Sequence, residues 1–173
     1  MVASKAPRLF PRLVTGADLV RFKNFDCGDE DYQQELVEFL FDDALAQAAH
    51  RFSSTYVFYG EAGSPLAFVA LACSSVKAWK ELSASGGNLP VLLIEMLAVD
   101  RTSQHRGMGH EILAWIGDKA RDLGVGCRYL ALYCDERNRS AHAFYEREGF
   151  FEPPGATDVC GDHLLLYDLG RAG

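Results

Sequence analysis

Residues Leu89 to Val99 carry a single charge, Glu95, in an otherwise nearly unbroken apolar run. A strand without a polar face has to be covered on both sides, a condition met at the centre of a sheet packed between helices. The expected class is therefore α/β, an α+β mixed sheet with helices flanking a central strand. At 173 residues, 49% of them hydrophobic and 24% charged, the chain has enough apolar material for a core without metals or disulfide staples. No repeat or long linker divides it, so residues 1–173 are expected to form a single domain.

The remaining elements are read from periodicity. In Asp29 to His50, residues Tyr32, Leu36, Val37, Leu40, Phe41, Ala44, Leu45 and Ala48 recur at helical spacing, with Asp31, Glu35, Glu38 and Asp42 on the other side. Thr55 to Tyr59 and Leu66 to Cys73, separated by the turn cluster Glu61 to Pro65, read as an antiparallel hairpin. Ser83 to Asn88 reads as a flexible loop. From Gly107 the apolar positions Ile112, Leu113, Ile116, Ala120 and Leu123 predict a helix capped by Gly124. Arg128 to Cys134 predicts a strand, Ser140 to Glu148 a helix stopped by Gly149, and Leu164 to Leu169 a last strand after the Pro153-Pro154-Gly155 break. The order is a helix, a meander, then strand, helix, strand, helix, strand.

Charge and cysteines narrow the setting. Seventeen Lys plus Arg against 24 Asp plus Glu give a net charge of −7, which disfavours unaided binding to a polyanion. The segment Asp26 to Asp43 alone holds eight acids and no base. Five cysteines (Cys27, Cys73, Cys127, Cys134, Cys160) form no C-x-x-C pair, and the first residues lack the apolar core of a secretion signal, so a cytoplasmic location is expected. The longest charge-free apolar run, Leu66 to Cys73, is too short for a bilayer, so no membrane association is expected.

The junction Asp100 to Gly109 connects the central strand to its helix and places two glycines where a backbone approaches a ligand closely. Amides at a helix start lack partners and sit at the positive end of the helix dipole, which suits phosphate or pyrophosphate; Arg101 and Arg106 would add charge. The pattern is neither a P-loop, since no Lys-Ser/Thr follows Gly109, nor G-x-G-x-x-G, since Ile112 occupies the third glycine position.

What the junction does match is Gln-x-x-Gly-x-Gly, Gln104 to Gly109, which resembles the acyl-CoA pyrophosphate loop of the GNAT superfamily of N-acetyltransferases. Asn138-x-x-Ala141-x-x-Phe144-Tyr145-Glu146-x-x-Gly149-Phe150 resembles that superfamily's second signature. The resemblance covers roughly residues 55–170. It implies acetyl-CoA as cosubstrate, with Gln104, His105, Arg106, Gly107, Met108 and Gly109 around the pyrophosphate. It also implies backbone pairing of Leu97, Ala98 and Val99 with the pantetheine arm, Asn138 beside the coenzyme, and Tyr145 as proton donor to the leaving sulfur. Phe25 to Leu36, Ala67 to Val76 and Leu92 to Asp100 together resemble the subgroup of GNAT toxins that acetylate aminoacyl-tRNA. Those toxins usually carry Gly-Arg where this chain has Glu95-Met96, and they present basic surface to tRNA.

The implied reaction is direct attack of a primary amine on the acetyl thioester in a ternary complex. The acceptor would be a small-molecule or peptide amine, with aminoacyl-tRNA or a non-catalytic acyl-CoA-binding module as the alternatives. Glu95, a carboxylate among Leu92, Leu93, Ile94 and Leu97, is a candidate general base on the expectation that burial raises its pKa; a strand-end Glu paired with Arg or reaching solvent is the other reading. His50, His105, His110, His142 and His163 show no metal-ligand spacing, so no metal is assigned. Cys134 is expected to be a small buried hydrophobe rather than a nucleophile. The acidic helix would be a solvated face or a rim attracting cationic acceptors. A homodimer through sheet edges is left open.

Overall fold

A computed structural model of the protein describes residues 8–77, 87–122, 126–154, 156 and 161–171. Its elements in chain order are β1 (Phe10–Leu13), α1 (Gly16–Arg21), α2 (Asp31–Glu38), a π-helical turn (Phe39–Asp43), α3 (Ala44–Ala49), β2 (Ser54–Tyr59), β3 (Pro65–Lys77) and β4 (Asn88–Val99). A 3-10 turn (Arg101–Ser103) leads to α4 (Met108–Asp122), β5 (Tyr129–Asp135), α5 (Arg139–Arg147), β6 (Asp162–Asp168) and a closing 3-10 turn (Leu169–Arg171). The strands form one six-stranded sheet in the order β1-β2-β3-β4-β5-β6. It is mixed, because β4 and β5 run parallel while β1–β2, β2–β3 and β5–β6 are antiparallel.

By internal packing the chain falls into two compact units, residues 1–71 with 96–116 and residues 72–95 with 117–173. In the first unit, Phe22, Phe25, Phe39, Leu40, Val57, Tyr59 and Phe68 build the core. Trp115 of α4 sets its ring edge-on to Tyr56 and Phe58, with centroids 4.9 and 5.2 Å away, and so seats the helix on β2. The second unit packs Val76, Val91, Tyr129, Ala131, Leu164 and Leu166. There β5 pairs along its whole length with β6, from Tyr129↔Asp168 to Asp135↔Asp162.

Besides α1, which the periodicity does not predict, three findings depart from the sequence expectations. A strand, β1, precedes the first helix: Phe10-Pro11-Arg12-Leu13 pairs with β2 from Phe10↔Tyr59 to Leu13↔Tyr56, and all four residues are exposed. Proline is tolerated there because an edge strand has one side without ladder partners. The acidic helix is not one regular α-helix, since the five-residue π turn interrupts it. The wider turn shifts the phase of α3, so Leu45 is 38% exposed and Ala48 is exposed, although the periodicity places both inward. The third departure is Glu95, which β4 turns outward rather than into the apolar interior. The expected Gly124 cap and most of the Ser83 to Asn88 loop lie outside the described residues, as do Gly155 and Cys160.

Among the described residues, Asp18 is the one fully buried charge of the first unit. Its carboxylate accepts from Tyr59 Oη (2.6 Å), Thr15 Oγ1 (2.7 Å), Thr15 N (2.9 Å) and Arg12 Nε (3.0 Å), and Arg12 Nη2 closes the pair. Burial pushes this carboxyl up, but the bonds from Tyr59, Thr15 and Arg12 outweigh burial and hold it below the ordinary aspartate value. Among the described residues no helix is long and apolar enough to cross a membrane, and no disulfide is present.

Candidate active site

In the first unit, the segment after β4 is built by a chain of local bonds. Asp100 accepts from Thr102 N (3.0 Å) and Thr102 Oγ1 (2.6 Å), which starts the 3-10 turn, and its own amide donates to Leu66 O (2.8 Å). Arg101 N donates to Asp26 O (2.6 Å), tying the turn to the segment before α2. Gln104 then reaches back: Nε2 donates to Val99 O and to Cys27 O, each at 2.9 Å. One side chain thus fixes the end of the strand, the incoming acidic segment and the start of the bend.

Beyond Gln104 the backbone turns twice through the left-handed region, at His105 (φ 59°) and Gly107 (φ 80°). A non-glycine residue held there costs on the order of 1 kcal/mol, and such outliers concentrate where a loop is shaped for a ligand. Gly107 needs no such compensation. Helix α4 begins directly after it, and its first turn closes with Glu111 N bonded to Gly107 O (3.2 Å); the amides ahead of that bond belong to the part of a helix that has no intrahelical acceptor. His105, Arg106 and Gly107 are exposed and Met108 is buried, anchoring the helix start beneath them. The bend that leads into this helix start is thus exposed and pinned, and a helix start is where backbone amides can receive an anion.

Arg101 takes no part in that cradle. Its guanidinium pairs with Asp29 (2.7 Å) and Asp26 (3.5 Å), so the cation of the bend nearest the strand is spent on the acidic segment. Leu97, Ala98 and Val99 lie at the end of β4. The parallel register of β4 with β5 stops at Ile94↔Leu132, short of these residues.

In the second unit, Asn138 caps α5, with Oδ1 accepting from Ala141 N and Ser140 Oγ, both at 3.1 Å. Tyr145 is the buried residue of α5, 8% exposed, with its ring against Phe144 (5.2 Å) and Phe150 (5.4 Å). Phe150 N donates to Tyr145 O (2.9 Å), and Gly149 (φ 93°) ends the helix there. Burial, and then the neighbouring Cys134, push the Tyr145 phenol above its ordinary value, so it holds its proton throughout the physiological range. Cys134 itself is pushed up to about 11 by burial and by Asp135 and Asp162, which leaves a thiol rather than a nucleophilic thiolate.

Glu95 requires a correction. It is exposed, not enclosed by the leucines beside it in sequence, because alternation along β4 buries Ile94 and Ala98 and turns Glu95 outward. The desolvation that made it a candidate base is absent. The left-handed backbone at His105 and the second carbonyl bound by Gln104 are features no sequence pattern revealed; the latter depends on where Cys27 lies.

Solved structures resemble this chain at the level of the fold. A complex of AtaT with acetyl-methionyl-tRNAfMet superposes with a TM-score of 0.71 at 21% identity, covering 93% of this chain and 95% of the other. A tyrosine-to-phenylalanine mutant of the AtaT toxin, bound to the C-terminus of the antitoxin AtaR and acetyl-CoA, gives 0.70 at 20% identity over 93% of each chain. A tyrosine-to-phenylalanine mutant of KacT gives 0.71 at 21% identity, covering 94% and 95%. No curated protein matches. The profile of the Acetyltransferase (GNAT) family matches residues 19–150, and with that span, this bend and this helix the chain belongs to the GNAT acetyltransferase family.

Proposed function

We propose that the protein is an acetyl-CoA-dependent N-acetyltransferase acting on a primary amine by direct transfer. The observation that carries this reading is the bend held by Gln104, an amide-lined turn shaped at His105 and Gly107 and running straight into α4. The donor would supply an activated acetyl thioester; the residues of this chain do the rest. The amides from His105 to Gly109 bind the diphosphate, with Arg106 adding charge. The backbone at Leu97, Ala98 and Val99 aligns the pantetheine arm, and one of its amides polarises the thioester carbonyl without having to reorganise. Asn138 positions the start of α5 beside the coenzyme.

Tyr145 gives its proton to the departing sulfur as the C–N bond forms and the C–S bond breaks; the amine loses a proton to water, and the phenol is reprotonated from solvent. With Glu95 exposed, solvent is the base this arrangement favours. The test is transfer of labelled acetyl from acetyl-CoA to a panel of amines by the wild-type chain. Label on at least one amine supports the reading, and binding of acetyl-CoA with no transfer in a broad panel would leave a binding module instead.

The narrower reading, that the amine is the α-amino group of aminoacyl-tRNA, draws on the AtaT complex with acetyl-methionyl-tRNAfMet. The net charge of −7 and the eight acids between Asp26 and Asp43 speak for a cationic acceptor instead. Running charged tRNA beside polyamines and lysine peptides in one labelled assay separates them. Acetylated aminoacyl-tRNA would establish the toxin-like reaction, and label only on cations would exclude it.

A further inference from the structure

The fold brings together three side chains that the sequence scatters. His142 lies in α5, Glu152 in the segment after it and His163 in β6, and one ligand atom from each falls within 4.8 Å of the others. His163 Nδ1 is 3.0 Å from Glu152 Oε1. The two imidazole rings stand edge-to-face with centroids 5.7 Å apart. His142 Nδ1 lies 3.7 Å from a second carboxylate, Glu146, one turn further along α5.

We propose that His142, Glu152 and His163 form a binding site for a divalent transition-metal ion of the zinc class. The donor set, two imidazoles and a carboxylate, is borderline in softness and suits zinc rather than magnesium or calcium, which demand more oxygens. In a tetrahedral zinc site the ligand atoms lie roughly 3.3–3.5 Å apart. Glu152 and His163, 3.0 Å apart, sit a few tenths of an ångström inside that spacing and open slightly around an ion, and His142, half-buried on a helix, turns its ring toward them. Glu146, 3.7 Å from His142 Nδ1, is close enough to take the place of an outer carboxylate once that ring turns.

The scaffold is fixed by backbone, as a site of this kind requires. Phe151 and Leu166 exchange two hydrogen bonds, Phe151 N to Leu166 O (2.8 Å) and Leu166 N to Phe151 O (2.9 Å), holding Glu152 beside β6. His163 is registered opposite Cys134. Three protein ligands leave one coordination position open to water. Bound there, the ion would clamp α5, the helix that carries Tyr145, to β6, independently of the acetyl-transfer chemistry.

The test is titration of the full-length wild-type protein with zinc chloride by calorimetry, with zinc-edge X-ray absorption on the loaded protein. One equivalent is expected to bind, with two imidazoles and oxygen in the first shell. His142→Ala and His163→Ala should each weaken binding at least about tenfold. Absence of stoichiometric binding overturns the proposal, as does sulfur in the first shell, which would assign the metal to the cysteines. A folded double variant that binds zinc like the wild type also overturns it. Should either variant fail to fold, the absorption spectrum of the wild type decides alone.

Discussion

The side-chain amide of Gln104 donates to the carbonyl of Val99, five positions earlier in the chain, and so ties the last residue of the central strand to the first residue of the bend. Because the same nitrogen also bonds Cys27 O, removing it strands two carbonyls at once. Gln104→Ala is expected to weaken binding of coenzyme A roughly tenfold, the equivalent of about 1.4 kcal/mol. Calorimetric titration measures it. An unchanged Kd would mean the bend holds its shape without Gln104.

Tyr145→Phe keeps the ring contacts with Phe144 and Phe150 and deletes only the hydroxyl. If the phenol protonates the leaving sulfur, kcat falls about 100-fold or more while the KM for acetyl-CoA changes by less than about twofold. Since burial raises this phenol above its ordinary value, the wild-type rate should show no loss of an acid group below about pH 10. Steady-state kinetics across pH decide both points.

For Glu95 the expectation is the opposite. Its carboxylate is exposed, so Glu95→Gln should leave the alkaline rise of kcat/KM in place and its magnitude within about threefold. Loss of that rise would restore Glu95 as the base and remove solvent from the role.

Asp18 gives a stability prediction with a definite sign. Its folded pKa lies below the unfolded one, so the carboxylate contributes stability that is fully present above the unfolded value near pH 4 and is lost as pH falls through the lower folded value. Asp18→Asn should cost about 2–3 kcal/mol at pH 7, because Arg12 and Tyr59 lose a charged acceptor. The gap between variant and wild type should narrow below about pH 4. Urea denaturation at pH 7 and pH 3 provides the comparison.

Much of this architecture could be read from residue order. The apolar run at Leu89–Val99 forced a central strand, the Gly107–Gly109 pattern forced a helix start, and Gly149 stopped α5 where expected. What stayed hidden depends on long-range partners. β1 is four exposed residues with a proline, and it is a strand only because β2 offers a free edge. The exposure of Glu95 is set by which face of β4 is covered, and an apolar run with two covered faces does not say where a charge escapes. Arg101 looks like a phosphate ligand until the fold places Asp26 and Asp29 beside it. His142 and His163 share no sequence spacing, and only the return of β6 alongside β5 unites them.

The π turn at Phe39–Asp43 amounts to a one-residue insertion absorbed without breaking the rod. Deleting a single residue there would heal the bulge and roll Ala44–Ala49 by about a quarter turn, carrying Leu45 from water toward the interior. Anyone attaching a label or crosslinker to that short rod should therefore count positions from Ala44, because the helical spacing that starts at Tyr32 points to the wrong side.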